Sequence, residues 1–132
     1  MREILFRGKQ KYTGEWIEGY YVMTDPADAP ARIRKPKAVI FSVNAKCNWF
    51  NKYFYNATEV VPETIGQFTG VLDKNGKKIF EGDIVYNGVF KSCVEFYDGR
   101  FTPFNGEHRT FFADECVIIG NIHDNPELLE VV

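Results

Sequence analysis

Short apolar runs broken by turn residues set the pattern of this chain. Ile4-Leu5-Phe6-Arg7 and Trp16-Ile17-Glu18-Gly19-Tyr20-Tyr21-Val22 are two such runs, and Tyr12-Thr13-Gly14 between them predicts an N-terminal β-hairpin. The next stretch holds Pro26, Pro30 and Pro36. Each proline lacks an N–H and restrains its predecessor, so residues 24–37 are expected to form an exposed loop. Ala38-Val39-Ile40-Phe41-Ser42-Val43 reads as a buried strand. Residues 44–58 are ambiguous: Trp49, Phe50, Tyr53 and Phe54 fit a helical face, whereas the composition fits a strand. The repeated Asn44, Asn48, Asn51 and Asn56 tilt the segment toward strand and turn.

The second half carries the same punctuation. Residues 64–72 read as a strand weakened by Gly66 and Gly70, where a bulge or bend is expected. Residues 88–96 predict another strand. Tyr97-Asp98-Gly99-Arg100 predicts a tight hairpin, because Asp-Gly readily supplies positive φ. Residues 116–122 form a last apolar strand. Asp124-Asn125-Pro126-Glu127 then predicts a short C-terminal helix, with an Asp or Asn cap, Pro in the first turn and Glu near the positive dipole end. Short strands at this spacing favour a small barrel or sandwich over βαβ units.

Composition agrees with a β-rich domain. The 132 residues suit one domain that buries about two thirds of its unfolded surface. We expect a single β-rich domain over 1–132, with the hairpin, Pro-rich loop and aromatic segment in 1–61 and the small barrel or sandwich part in 62–132. Aromatic residues make up 16% of the chain, and they favour the pleated surface of a sheet. No run of about 18 apolar residues predicts a membrane helix. The start, MREILFRGKQK, lacks the apolar core of a signal peptide. Cys47, Cys93 and Cys116 are odd in number and widely spaced, which argues for a reducing, cytoplasmic setting.

Charge is distributed unevenly. Between Ala29 and Thr58 there are six cations and no acid; from Thr110 to Val132 there are five acids and no cation. Such asymmetry can hold subunits together or steer partners. Arg32, Arg34, Lys35 and Lys37, followed by Trp49, Tyr53 and Tyr55, form the candidate binding segment. Rings beside cations suit a protein interface, where Trp, Tyr and Arg dominate the energetics. They equally suit single-stranded nucleic acid, by stacking and phosphate neutralisation. The bland alternative is that the rings form core while the cations are solvated.

Candidate chemistry is thin. DKNGKKIFEGDIV, from Asp73 to Val85, opens like a calcium loop. However, Lys77, Lys78 and Ile84 stand where the fifth ligand, the glycine and the bidentate Glu belong. The phosphate-loop pattern is also absent. A turn at Asn75-Gly76 and a bend at Glu81-Gly82-Asp83 account for every residue. Cys93, His108, Cys116 and His123 lack the paired spacing that zinc sites use. The carboxylate pairs Glu81/Asp83, Asp114/Glu115 and Asp124/Glu127 read as turn chemistry. We therefore expect no metal, no cofactor and no catalytic residue.

TIGQFTGVLDKNGKKIFEGDIV, preceded by MREILFRGKQKYTGEWIEGYYV and followed by VIIGNIHDNPELL, resembles the YopX family of phage and prophage proteins. The resemblance implies a small cytoplasmic protein of a bacterial host and an SH3-like β-barrel around EGDIV. It implies no activity. The expected function is a non-enzymatic interaction module whose partner is a second copy or another phage or host protein. Single-stranded nucleic-acid binding through segment 32–55 is the alternative.

Overall fold

The computed structural model describes residues 3–24, 37–42, 57–103 and 112–130. The expectations for residues 25–36 and 43–56 lie outside the described residues. The chain divides into two compact units, Ile4–Ile65 and one around Gly66–Val132. Both are antiparallel β structures, and the helical turns among the described residues are single 3-10 turns.

The N-terminal unit is a sheet of β1 (Phe6–Lys9), β2 (Trp16–Thr24), β3 (Lys37–Ser42) and β4 (Ala57–Glu59), in the order β4-β3-β2-β1. The predicted hairpin is present, with Phe6 opposite Gly19 and Lys9 opposite Trp16. Gly14, at φ 72°, supplies the left-handed residue of its turn. After β4 the chain returns to β1: the N–H of Val61 donates to Lys9 at 2.9 Å and that of Lys11 to Glu59 at 3.1 Å. A 3-10 turn over Pro62–Thr64 follows, where the Thr64 hydroxyl accepts the Lys9 N–H at 2.9 Å and donates to the Val61 carbonyl at 2.6 Å. Alternation then sorts the side chains. One face buries Ala38, Ile40 and Val60 against Ile17, Tyr21 and Ile65. Gly19 lies on that face so close to β3 that an added Cβ would overlap the Phe41 carbonyl oxygen, which is backbone and cannot swing aside. Gly19→Ala is expected to cost about 2–3 kcal/mol, read as a lowered urea midpoint; unchanged stability would show that the strands separate freely there.

The C-terminal unit contains β5 (Gly66–Leu72), β6 (Lys78–Phe80), β7 (Asp83–Tyr86), β8 (Lys91–Cys93), β9 (Glu95–Tyr97), β10 (Arg100–Thr102) and β11 (Val117–Asn121). β7 is central in the order β11-β7-β8, and Ile84 and Val85 are buried on its two faces. Ile79, Val85, Val94 and Cys116 form the core, packed against Phe101, Ala113 and Ile118. The bend expected in β5 is real: the register with β6 slips between Phe68 and Leu72, around Gly70 at φ 91°. The Asp98-Gly99 hairpin also forms, with φ of 53° and 77°.

The DKNG stretch is a turn, and its carboxylate organises it. Asp73 is buried; one oxygen accepts the N–H groups of Asn75 (2.8 Å) and Lys77 (2.9 Å), and the other accepts that of Ile118 (3.1 Å). Gly76 adopts φ 80° and its N–H closes the turn onto the Asp73 carbonyl at 3.0 Å. At the second bend Gly82 takes φ 93°, and the buried Asp83 accepts the Phe80 N–H at 2.8 Å.

Two expectations need correction. Among the described residues no sheet closes into an SH3-like barrel: β9 and β10 pair with each other as a separate ribbon, and bulges interrupt β5–β6 and β11–β7. The C-terminal helix is one 3-10 turn, Pro126–Leu129. Asn125 makes no side-chain cap there, because its carboxamide oxygen accepts the Asn121 N–H at 3.3 Å instead. Without a cap, four residues do not extend into an α-helix.

Candidate interaction surface

The outward face of the N-terminal sheet follows from strand register. Residues opposite one another share a face, so Trp16, Glu18, Tyr20 and Val22 of β2 stand beside Arg7 and Lys9 of β1 and Val39 and Phe41 of β3. Tyr20 is 60% exposed and Val22 43%, and the two sit next to each other along the strand. The Arg7 guanidinium lies 4.8 Å from the Trp16 ring centroid and the Lys9 ammonium 5.8 Å. Contacts of this kind contribute about 0.5–1 kcal/mol each and fix the cations beside the ring. The result is an apolar and aromatic strip with cations along the β1 side.

At the end of this sheet lies a groove of about 220 Å³. Ala38, Val60, Val61 and Pro62 make its apolar walls, and Lys11, Lys37 and Glu59 supply its charges. The hydrogen bonds that return the chain from β4 to β1 hold these walls in place. The Lys11 ammonium pairs with Glu59 at 3.2 Å. That contact, with a smaller contribution from Tyr12, pushes the Lys11 pKa up, so the charge persists across the physiological range.

Of the seven residues in the predicted binding segment, the structure places Lys37, at the start of β3 and in the groove. Arg32, Arg34, Lys35, Trp49, Tyr53 and Tyr55 lie outside the described residues. The register still constrains the idea. Thr24 pairs with Lys37, so residues 25–36 leave and rejoin the hairpin at one end of β3. Residues 43–56 start from the other end, after Ser42. Six residues of strand span roughly 17 Å. The loop with the cations thus joins β3 at one end, and the segment with the aromatics leaves it at the other. Sequence reasoning missed the strip of Trp16, Tyr20 and Val22, although the alternation in Trp16–Val22 was its signal.

The reactive candidates are dispersed or occupied. Cys116 is buried, and burial, followed by the charges of Glu115, Asp114 and Asp73, pushes its thiol pKa up, so it stays protonated. Cys93 is half-buried at the end of β8. The His123 backbone N–H donates to the Asn121 side-chain oxygen at 3.0 Å. Cys47 and His108 lie outside the described residues. Among the described residues no three His, Cys, Asp or Glu side chains gather to hold a metal. The Glu81/Asp83 pair serves the bend, with Glu81 accepting the Gln67 N–H at 3.4 Å. Asp114, Glu115, Asp124 and Glu127 are exposed. No helix among the described residues is long and apolar enough to cross a membrane.

The sequence profile of the YopX protein matches residues 5–130, nearly the whole chain. The chain belongs to the YopX family. Its fold is similar to the crystal structure of protein EF1440 from Enterococcus faecalis, with a TM-score of 0.55 and 25% identity. That match covers 98% of this YopX chain and 100% of the other. No curated protein matches the chain.

Proposed function

We propose that this YopX-family chain is a non-enzymatic interaction module that holds a second copy or another protein through the outward face of its N-terminal sheet. The observation that carries this reading is the exposed Tyr20–Val22 pair on a regular strand, flanked by ring-stacked cations. An aromatic and aliphatic strip on a rigid sheet, with guanidinium and ammonium groups at its side, has the composition of an interface centre. The family resemblance supports a phage or prophage origin and a role inside the bacterial host. Affinity capture from nuclease-treated host cells, comparing the natural chain with Tyr20→Glu, tests the reading. A bound protein, or a tagged second copy, should be recovered with the natural chain and lost with the variant. Equal recovery with both would sink it.

A second reading is single-stranded nucleic-acid binding, favoured by cations stacked on Trp16 and by Lys11, whose ammonium lies 5.6 Å from the exposed Tyr12 ring. It predicts binding to a labelled oligonucleotide that weakens with salt and on neutralising Arg32, Arg34, Lys35 and Lys37. Absence of binding at low salt removes it.

A further inference from the structure

We propose that Asn87 is a site of spontaneous covalent modification: the folded β7–β8 hairpin closes its side chain onto the Gly88 amide as a succinimide, and water opens the ring to aspartate or isoaspartate. The site belongs to the C-terminal unit and does not depend on the interaction-module reading.

The chain contains three Asn-Gly pairs, at 75–76, 87–88 and 105–106, the last outside the described residues. In sequence they are equivalent, since glycine has no side chain to shield its own nitrogen. The structure separates the two pairs it describes. At Asn87 the side-chain oxygen accepts two backbone N–H groups, that of Val89 at 2.9 Å and that of Phe90 at 2.8 Å. Two donors at this distance draw electron density from the carboxamide carbon and hold the negative charge that collects on the oxygen when a nucleophile adds. The nucleophile is the next residue. Gly88 is exposed, has open space where a side chain would stand, and its N–H donates to nothing among the described residues. The Tyr86 hydroxyl donates to the Gly88 carbonyl at 2.9 Å and the Asn87 N–H to the Phe90 carbonyl at 3.2 Å. These bonds hold the tip in one shape, so the reacting groups stay together.

At Asn75 the bonds run the other way. The Gly76 N–H donates to the Asp73 carbonyl at 3.0 Å, and the Asn75 N–H donates to the Asp73 carboxylate at 2.8 Å. Taking the proton from the Gly76 nitrogen would break a bond that closes the turn, so folding protects this pair.

The reaction consumes only water. Hydroxide from solvent removes the Gly88 amide proton, and the nitrogen forms a bond to Asn87 Cγ. The tetrahedral oxyanion collapses, the Cγ–Nδ2 bond breaks, and ammonia leaves with a proton taken from water. A second water then opens the ring. Opening at Cγ gives aspartate; opening at the main-chain carbonyl gives isoaspartate, with a methylene added to the backbone. Either product adds one negative charge at the tip, beside Val89, which is 72% exposed. Isoaspartate also lengthens the link between Tyr86 and Lys91, which pair across β7 and β8. The loss of ammonia is one-way in water, so the converted fraction records the age of the folded chain.

Peptide mapping by mass spectrometry tests this on the full chain, held at mildly alkaline pH either folded or unfolded in guanidinium chloride. Trypsin releases residues 79–91, which contain no other Asn or Gln, so a gain in mass there reports Asn87 alone. Conversion at Asn87 should be roughly tenfold faster in the folded chain than in the unfolded one. Asn75 should convert more slowly folded than unfolded. Asn87→Ser keeps a short oxygen acceptor but cannot form the ring, and the gain in mass should vanish. Asn87 converting no faster when folded, Asn75 outpacing it in the folded chain, or a gain that persists in the Ser variant overturns the proposal. The folded-against-unfolded comparison uses the natural chain and requires no variant to fold.

Discussion

Asp73→Ala is expected to destabilise the C-terminal unit by roughly 3–4 kcal/mol, because three backbone N–H groups lose their acceptor at once and a buried donor left unpaired costs about 1 kcal/mol or more. The loss should be felt at two places far apart in sequence: the turn after β5 and the start of β11, where Ile118 follows Asp73 by 45 residues. The pH dependence has a definite sign. Burial pushes the Asp73 carboxyl up, but the N–H groups of Lys77, Ile118 and Asn75 and the Lys77 charge outweigh it, so its pKa lies below the ordinary carboxylate value. A carboxylate depressed in the folded state contributes stability above its unfolded pKa, about 3.9, and loses it as pH falls through the folded value. Urea unfolding at neutral pH should separate the natural chain from Asp73→Ala clearly. Below about pH 4 the gap between the two should narrow. A difference that stays constant down to pH 2 would show that the charge on Asp73 contributes nothing.

The second large effect is Ile79→Ala. Ile79 is fully buried among Val85, Val94 and Cys116, with Phe101 and Ile118 packed around that cluster. Removing three carbons from a site enclosed by strands leaves a cavity that the backbone cannot collapse, for an expected loss of about 3 kcal/mol. With a urea slope of about 1–3 kcal/mol/M, the midpoint should fall by roughly 1–3 M. Ile119→Ala, at a position 37% exposed on β11, is the control and should cost below about 1 kcal/mol. Comparable losses at both positions would mean that the core does not sit where the strand alternation puts it.

Strands and turns were legible because their causes are local. Gly76, Gly82 and Gly99 stand where positive φ is needed, and each bends the chain where its neighbours in sequence said it would. The hairpins at residues 12–14 and 98–99 and the slip within β5 follow from the same cause. The C-terminal turn was misjudged because the competing bond from Asn121 to the Asn125 side chain depends on how β11 ends, which a capping pattern does not contain. The barrel was misjudged for a related reason: which strands pair across a sheet is a long-range choice, and β9 and β10 chose each other.

The candidate site shows the same division more sharply. Of the seven residues of segment 32–55, Lys37 is the one among the described residues, at the start of β3. Lys11, Lys37 and Glu59 are scattered along the chain, and they meet because β3, β4 and the end of β1 lie side by side. By itself the sequence determined the YopX membership, the β character and the bends, all of which rest on interactions within a few residues. Tertiary structure alone decided which side chains share a face, that Asp73 ties a turn to a distant strand, and that a charged groove exists, since each of these depends on strand pairing between remote segments and on burial that raises the cost of an unmet hydrogen bond.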